Sequence, residues 1–225
     1  MSIRTFALGA VVAAFGLPQT AAAQPSDALY VVTYLEALPA DAGRARDLLA
    51  AYAEESRRAD GNREFEALER IGRPNHFAIL EAWTGDAARS AHERSPAAER
   101  FRQSLTPLLY SPPDRREQHA LLTAPIQRPG GDAVYVLTHV DVVPPSLDQA
   151  VEHLRELAEA SRSEAGNLRF DVLVTERKNH MTLIEAWDGN AAHEVHLGAA
   201  HNRTFRMEMA PLLGALYDER LYRGL

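Results

Sequence analysis

The chain repeats itself, and nothing else in its sequence limits the fold as much. Ala28-Leu-Tyr-Val-Val-Thr33 returns as Ala133-Val-Tyr-Val-Leu-Thr138, and Pro39 returns as Pro144. Ser56-Arg57 and Gly61-Asn62 return as Ser161-Arg162 and Gly166-Asn167, and Phe65 returns as Phe170. After a one-residue deletion the register resumes with Asn75-His76/Asn179-His180 and Glu81-Ala-Trp83/Glu185-Ala-Trp187. It then holds through His92/His196, Phe101/Phe205, Pro107-Leu-Leu109/Pro211-Leu-Leu213 and Asp114/Asp218. Collinear matches over such a length mark a tandem duplication, so each copy must build one small domain.

The periodicities within a copy alternate in type. Residues 29–37 and 134–142 are rich in Val, Tyr and Thr, as strands are. Ala45, Leu48, Leu49, Tyr52 and Ser56 then make one apolar helical face, as do Leu147, Ala150, Val151, Leu154, Leu157, Ala158 and Ser161. Gly61 and Gly166 stand where the helix must stop and the chain turn. Strands are predicted over about 62–71 and 75–84, and over 167–176 and 179–188, joined at Arg73-Pro74-Asn75 and Arg177-Lys178-Asn179. A second helical region covers about 86–110 and 190–214, broken near Pro96 and Gly198. Short last strands follow near 116–122 and 217–223.

The order βαββαβ, twice, is the ferredoxin-like split βαβ unit, and the fold class is α+β. Such a unit covers one sheet face with helices and leaves the other needing a partner. Two units in one chain can supply that partner to each other, as an intramolecular pseudo-dimer closing an α/β barrel; a further homodimer of tandem chains is left open. The domains are expected at 28–122 and 133–225, joined by a Pro- and Gly-bearing linker at 123–132.

Residues 1–23 are set aside from the fold. A short positive start ending at Arg4, an apolar run from Thr5 to Leu17 and small residues at Ala21-Ala22-Ala23 read as a secretory signal peptide, cleaved after Ala23. The expected location is secreted or periplasmic, with no membrane association once the signal is removed. Loss of Arg4 turns 24 basic residues into 23 against 31 acidic ones, a net −8 that disfavours nucleic acid as a partner. There is no cysteine, hence no disulfide, thiolate nucleophile or thiolate metal ligand.

Several residues could carry chemistry. Trp83 and Trp187, the only tryptophans, occupy equivalent sites and read either as core packing or as pocket walls. Glu81 and Glu185 lie two residues before them, on the same strand face, as ion-pair partners or bases. His196 and His201 lie on the second helical region, with capping or proton transfer as their alternatives; His92 repeats the position of His196. His139 repeats the position of Tyr34 and shares a pleat face with Tyr135, Leu137 and Asp141, which makes it either a catalytic acid or base in a pocket or a satisfied half-buried histidine. Asn62 and Asn167 suit turn chemistry. His193, His196 and His201 suggest a metal, but no carboxylate completes a recognisable motif, so no metal site is expected. There is no phosphate-binding loop, nucleophile elbow or His-Glu-x-x-His pattern.

Glu164-Ala-Gly-Asn-Leu-Arg-Phe170, then Glu185-Ala-Trp187, His196, His201 and Phe205, resembles the turn, strand and strand-to-helix segments of the antibiotic-biosynthesis-monooxygenase (ABM) family of dimeric α+β barrels. In the first copy His92-Glu-Arg-Ser-Pro96 fits the same pattern, but Ala97 stands where the family has a second histidine. The resemblance implies O₂-dependent oxidation of quinols, anthrones or polycyclic phenols with no metal, flavin or other cofactor, so the partners are a small aromatic substrate and O₂. It implies catalysis in the second copy, with His196 or His201 handling protons, Asn167 holding the oxyanion and Trp187 shaping the pocket. Phe170, Glu185, Asn62, Trp83, His92 and Tyr34 are the candidate substrate contacts. Two rival readings remain. Related barrels degrade haem, but with an Asn on the first strand, where this chain has Tyr34 and His139. A non-catalytic, ligand-binding or stress-related barrel is the other, because a fold does not confer an activity.

Overall fold

Alternation along the first strand sets the architecture. In β1 (Leu29–Glu36) Tyr30, Val32 and Tyr34 join one buried cluster, whereas Leu35 belongs to a second cluster under the helices. Both faces are therefore covered. The computed structural model describes residues 28–126 and 128–225; the proposed signal peptide lies outside them. The first half continues with α1 (Ala42–Ser56), β2 (Asn62–Arg70), β3 (His76–Trp83), α2 (Asp86–Glu93), α3 (Pro96–Leu105) and β4 (Asp114–Leu122). The second half repeats it as β5 (Val134–Asp141), α4 (Leu147–Arg162), β6 (Asn167–Val174), β7 (His180–Trp187), α5 (Gly189–Gly198), α6 (Ala200–Met209) and β8 (Asp218–Gly224). Two tandem ferredoxin-like units are thus present, and their strands close one barrel in the order β1-β3-β2-β8-β5-β7-β6-β4.

The halves are sewn together by their last strands. β4 pairs with β1 of its own half and crosses to β6, and β8 pairs with β5 and crosses to β2. The sheet face that each unit leaves bare becomes the barrel interior, filled by Tyr30, Val32, Tyr34, Leu80, Tyr135, Leu137, Ile184 and Tyr222. An ion cluster also spans the halves there: Arg169 of β6 pairs with Glu64 of β2 and, at 2.7 Å, with Asp171. All three are at least 93 % buried, and the two carboxylates hold the guanidinium protonated despite its burial.

The helices cover the outside. α1 buries Ala45, Leu49, Ala53 and Ser56, and α4 buries Ala150, Leu154, Leu157, Ala158 and Ser161, the expected faces. The second helical region breaks in both halves: Ser95 caps α3 by accepting from the Ala98 amide at 3.1 Å with Pro96 in the first turn, and Ala199 is extended between α5 and α6. Gly61 and Gly166 take φ of +75° and +83°. A Cβ at Gly166 would lie 2.6 Å from the Ala192 Cβ, so that glycine lets α5 approach the sheet. Among the described residues no helix is long and apolar enough to cross a membrane.

Candidate active site

Strand register divides the sequence-derived candidates between two faces. Trp187 pairs with Val134, and Glu185 with Val136, placing both side chains under α5 and α6. His139 pairs with Thr182 and points into the barrel, where its ring meets Tyr34 edge-on at 5.0 Å. His139 accepts from Arg116 at 3.0 Å, and burial together with the Arg116 and Arg220 charges pulls its pKa down to about 4. Tyr34 lies between the same two guanidiniums, at 5.4 and 5.2 Å. The sequence reading grouped His139 with His196 and His201, but the pleat separates them: a sheet stands between.

Under the helices of the second half the remaining candidates converge. The Trp187 indole Nε1 donates to Glu185 Oε2 at 2.9 Å, and its ring stacks on His196 at 4.4 Å. Phe170 meets the His196 ring edge-on at 6.2 Å. His196 directs Nδ1 to Glu164 at 2.6 Å, and Nε2 lies 3.7 Å from Glu185. His201 directs Nε2 to the same Glu164 oxygen at 2.8 Å. Burial pushes the Glu185 pKa up to about 8, the Trp187 bond opposing only part of that rise, and burial likewise lowers that of His196. Near neutral pH, Glu185 and His196 thus face each other uncharged, as an acid and a base, and the His196–Glu164 contact is an N–H···O bond from a neutral ring.

Asn167 stands opposite Trp187 across β6 and β7, and Asn62 opposite Trp83 across β2 and β3. Each spends an amide N–H on its own strand, Asn167 on the Arg169 carbonyl at 3.2 Å and Asn62 on the Glu64 carbonyl at 3.0 Å, where the register shifts. Their turn role is therefore realised, and each stands beside a tryptophan.

Three residues that sequence reasoning passed over complete the site. Glu164, from the α4–β6 turn, supplies the carboxylate between the histidines; with them it forms a set of donors of the kind that holds a transition metal. Arg206 and Tyr217 line a cleft of about 610 Å³ with Met209, Leu213 and Leu216. The Arg206 guanidinium sits 3.8 Å over the Tyr217 ring and pairs with Glu219. Both lining residues lie within electrostatic reach of Glu185, the Arg206 charge acting on Glu185 and the Glu185 charge on the Tyr217 phenol. A second His and Glu group, His153, Glu156 and Glu208, is a surface feature of α4 and α6.

The first half keeps the tryptophan, glutamate and histidine of this site in different surroundings. Trp83 donates to Glu81 at 2.9 Å, and burial raises the Glu81 pKa. His92 stacks with Tyr52 and accepts from, or donates to, its hydroxyl at 2.9 Å. Ala59 and Ala97 replace Glu164 and His201, and Pro113 replaces Tyr217. Where the second half has His193, Leu197 and Glu219, the first has Arg89, Glu93 and Arg115, which form a mutual ion-pair network with Glu117.

The antibiotic biosynthesis monooxygenase family model matches residues 28–104 and again 133–207. The chain belongs to that family. A candidate monooxygenase of Fusobacterium nucleatum shares the two-unit fold at a TM-score of 0.82 and 16 % identity, over 90 % of this chain and 94 % of that one. A candidate monooxygenase of Lactobacillus acidophilus does so at 0.73 and 13 %, over 88 % and 94 %, and an anthrone oxidase-like protein at 0.69 and 13 %, over 89 % and 92 %. At these identities the likeness is one of fold. Family membership supports a monooxygenase-type function on a small molecule.

Proposed function

We propose that the second half of this ABM protein is a cofactor-independent monooxygenase that oxidises a quinol-like or polycyclic phenolic compound with O₂. The observation that carries the reading is an uncharged acid–base pair, Glu185 and His196, buried beside a cleft walled by apolar and aromatic side chains. A phenol becomes electron-rich enough to reduce O₂ only after losing its proton, and a positioned acid–base pair assists that loss. The ring would lie against Met209, Leu213 and Tyr217, with its oxygen toward Glu185 and Arg206 stabilising the developing phenolate. The substrate supplies the electrons: one oxygen atom enters the product and the other leaves as water. Glu185, Trp187 and His196 are all sealed, at 4, 0 and 3 % exposure, so the substrate oxygen would reach Glu185 only as Arg206 and Tyr217, which line the cleft, move apart.

O₂ uptake by chelator-treated protein against a panel of quinols, anthrones and catechols tests this. Uptake that survives chelation and falls at least tenfold in His196→Ala is expected. A panel without uptake favours a ligand-binding barrel. We further propose export through residues 1–23; mass spectrometry of protein from the periplasm or medium should find Gln24 at the N-terminus.

A further inference from the structure

Glu164 and His201 have no evident packing duty. Glu164 sits in a turn with its side chain 14 % exposed, and His201 is 30 % exposed, yet both point inward to His196. The two are also a linked pair within the chain: the first half has alanine at both equivalent positions, Ala59 and Ala97, while retaining the counterparts of Trp187, Glu185 and His196. Tyr52 takes up the Nε2 of His92 there, and Leu157 stands in its place in the second half. Whatever Glu164 and His201 do, the first half folds without it.

The geometry points to a proton path from Glu185 through His196, Glu164 and His201 to solvent. This rests on the monooxygenase reading above. Two of its links are hydrogen bonds, 2.6 Å from Nδ1 of His196 to Glu164 and 2.8 Å from Glu164 to His201; the first, from Glu185 to Nε2 of His196, spans 3.7 Å and must shorten for transfer. When a substrate O–H gives its proton to Glu185, the carboxyl proton of Glu185 passes to Nε2 of His196. Nδ1 of His196 releases its own proton to Glu164. The Nδ1–H tautomer of His201 takes that proton at Nε2 and gives its Nδ1 proton to water, and the two imidazoles then return to their starting tautomers. Only O–H and N–H bonds form or break, and the net change is one proton moved from substrate to water. Without an exit the buried pair could act once and then hold the proton.

The same three side chains could instead hold a metal ion, and the distances favour the path. Both imidazole nitrogens stand at hydrogen-bond length from one carboxylate oxygen. Donor atoms around a tetrahedral ion with bonds near 2.0–2.1 Å lie on the order of 3.3 Å apart.

His201→Ala and Glu164→Gln test the path in the full-length protein. Turnover in dilute buffer should fall about tenfold or more in both, with KM little changed. Added imidazole should restore the His201→Ala rate in a saturable manner, which a packing role would not allow. Unchanged turnover in His201→Ala, or a loss that imidazole leaves untouched, overturns the path. If no substrate is oxidised by the wild type, the monooxygenase reading fails but the path is still measurable. By NMR, hydrogen exchange at His196 Nδ1 should slow about tenfold in His201→Ala; equal rates overturn the proposal. Micromolar Zn²⁺ binding that is lost in both variants would also overturn it and make the cluster a metal centre.

Discussion

Replacing Glu185 with Gln gives a stability change whose sign depends on pH. Burial lifts this carboxyl from 4.5 to about 8. An unfolded chain ionises the group above its ordinary pKa, whereas the folded protein keeps the proton until the raised one. Between those values the folded state binds more protons, so the contribution of Glu185 is fully present below about pH 4.5. It is lost as pH rises and levels off above about 8. At roughly 1.4 kcal/mol per unit, the loss across that window is about 3–5 kcal/mol. Gln copies the protonated carboxyl, and its amide oxygen can still accept from the Trp187 indole, but it does not titrate. Glu185→Gln should therefore match the wild type near pH 4 and exceed it at pH 8, by roughly 10 °C in Tm for a chain of this size. His193, His196, Glu164, Glu219, Arg206 and Tyr217 surround the site in both proteins, so their own titration largely cancels in the difference. Urea melts from pH 4 to 8 measure it. Stability curves that run parallel for the two proteins would refute the burial argument, and with it the neutral acid on which the proposed chemistry rests. The same variant should lose turnover, because an amide cannot pass a proton.

Gly166→Ala should cost about 2–4 kcal/mol, combining the positive φ with a Cβ driven into Ala192; Gly198→Ala, with open space around it, should cost under about 1 kcal/mol, and thermal melts of the pair separate the two cases. Arg169→Met leaves Glu64 and Asp171 buried across the seam between the halves without their cation, and should cost about 3–5 kcal/mol in urea unfolding. A loss below 1 kcal/mol there would show that the seam does not depend on the cluster.

The fold was legible because the repeat let each half check the other. Ambiguous segments such as 86–110 could be aligned with 190–214, and the break near Pro96 could be matched to that at Gly198. The tryptophans, their glutamates and the first histidine were legible for the same reason. What sequence could not supply was pleat registry. His139 looks like a partner for His196 until its pairing with Thr182 turns it into the barrel. Glu164 escaped because an acid just before a turn glycine reads as a solvated residue, and its partners lie 32 and 37 positions away. Its one signal was comparative: an acid and a histidine in one copy where the other has two alanines. Tyr217 was hidden because the first copy offers Pro113 there and repeat matching draws attention to what both copies keep, whereas Arg206, matched by Arg102, read as an ordinary solvated helix charge.

The crossing of β4 and β8 between halves has a consequence for descent. In a barrel assembled from two identical subunits, every inherited change is made twice, and any alteration tolerated in one pocket must be tolerated in the other. Fusing the subunits lifts that constraint on the outer faces. The shared interior still ties the copies to each other, since each needs the other's last strand. Beneath the helices, however, the other copy reaches in mainly through Leu121, Leu122 and Leu225 of the crossing segments. One can fill with ion pairs and lend rigidity, while the other is free to collect an acid, a histidine and a tyrosine one at a time.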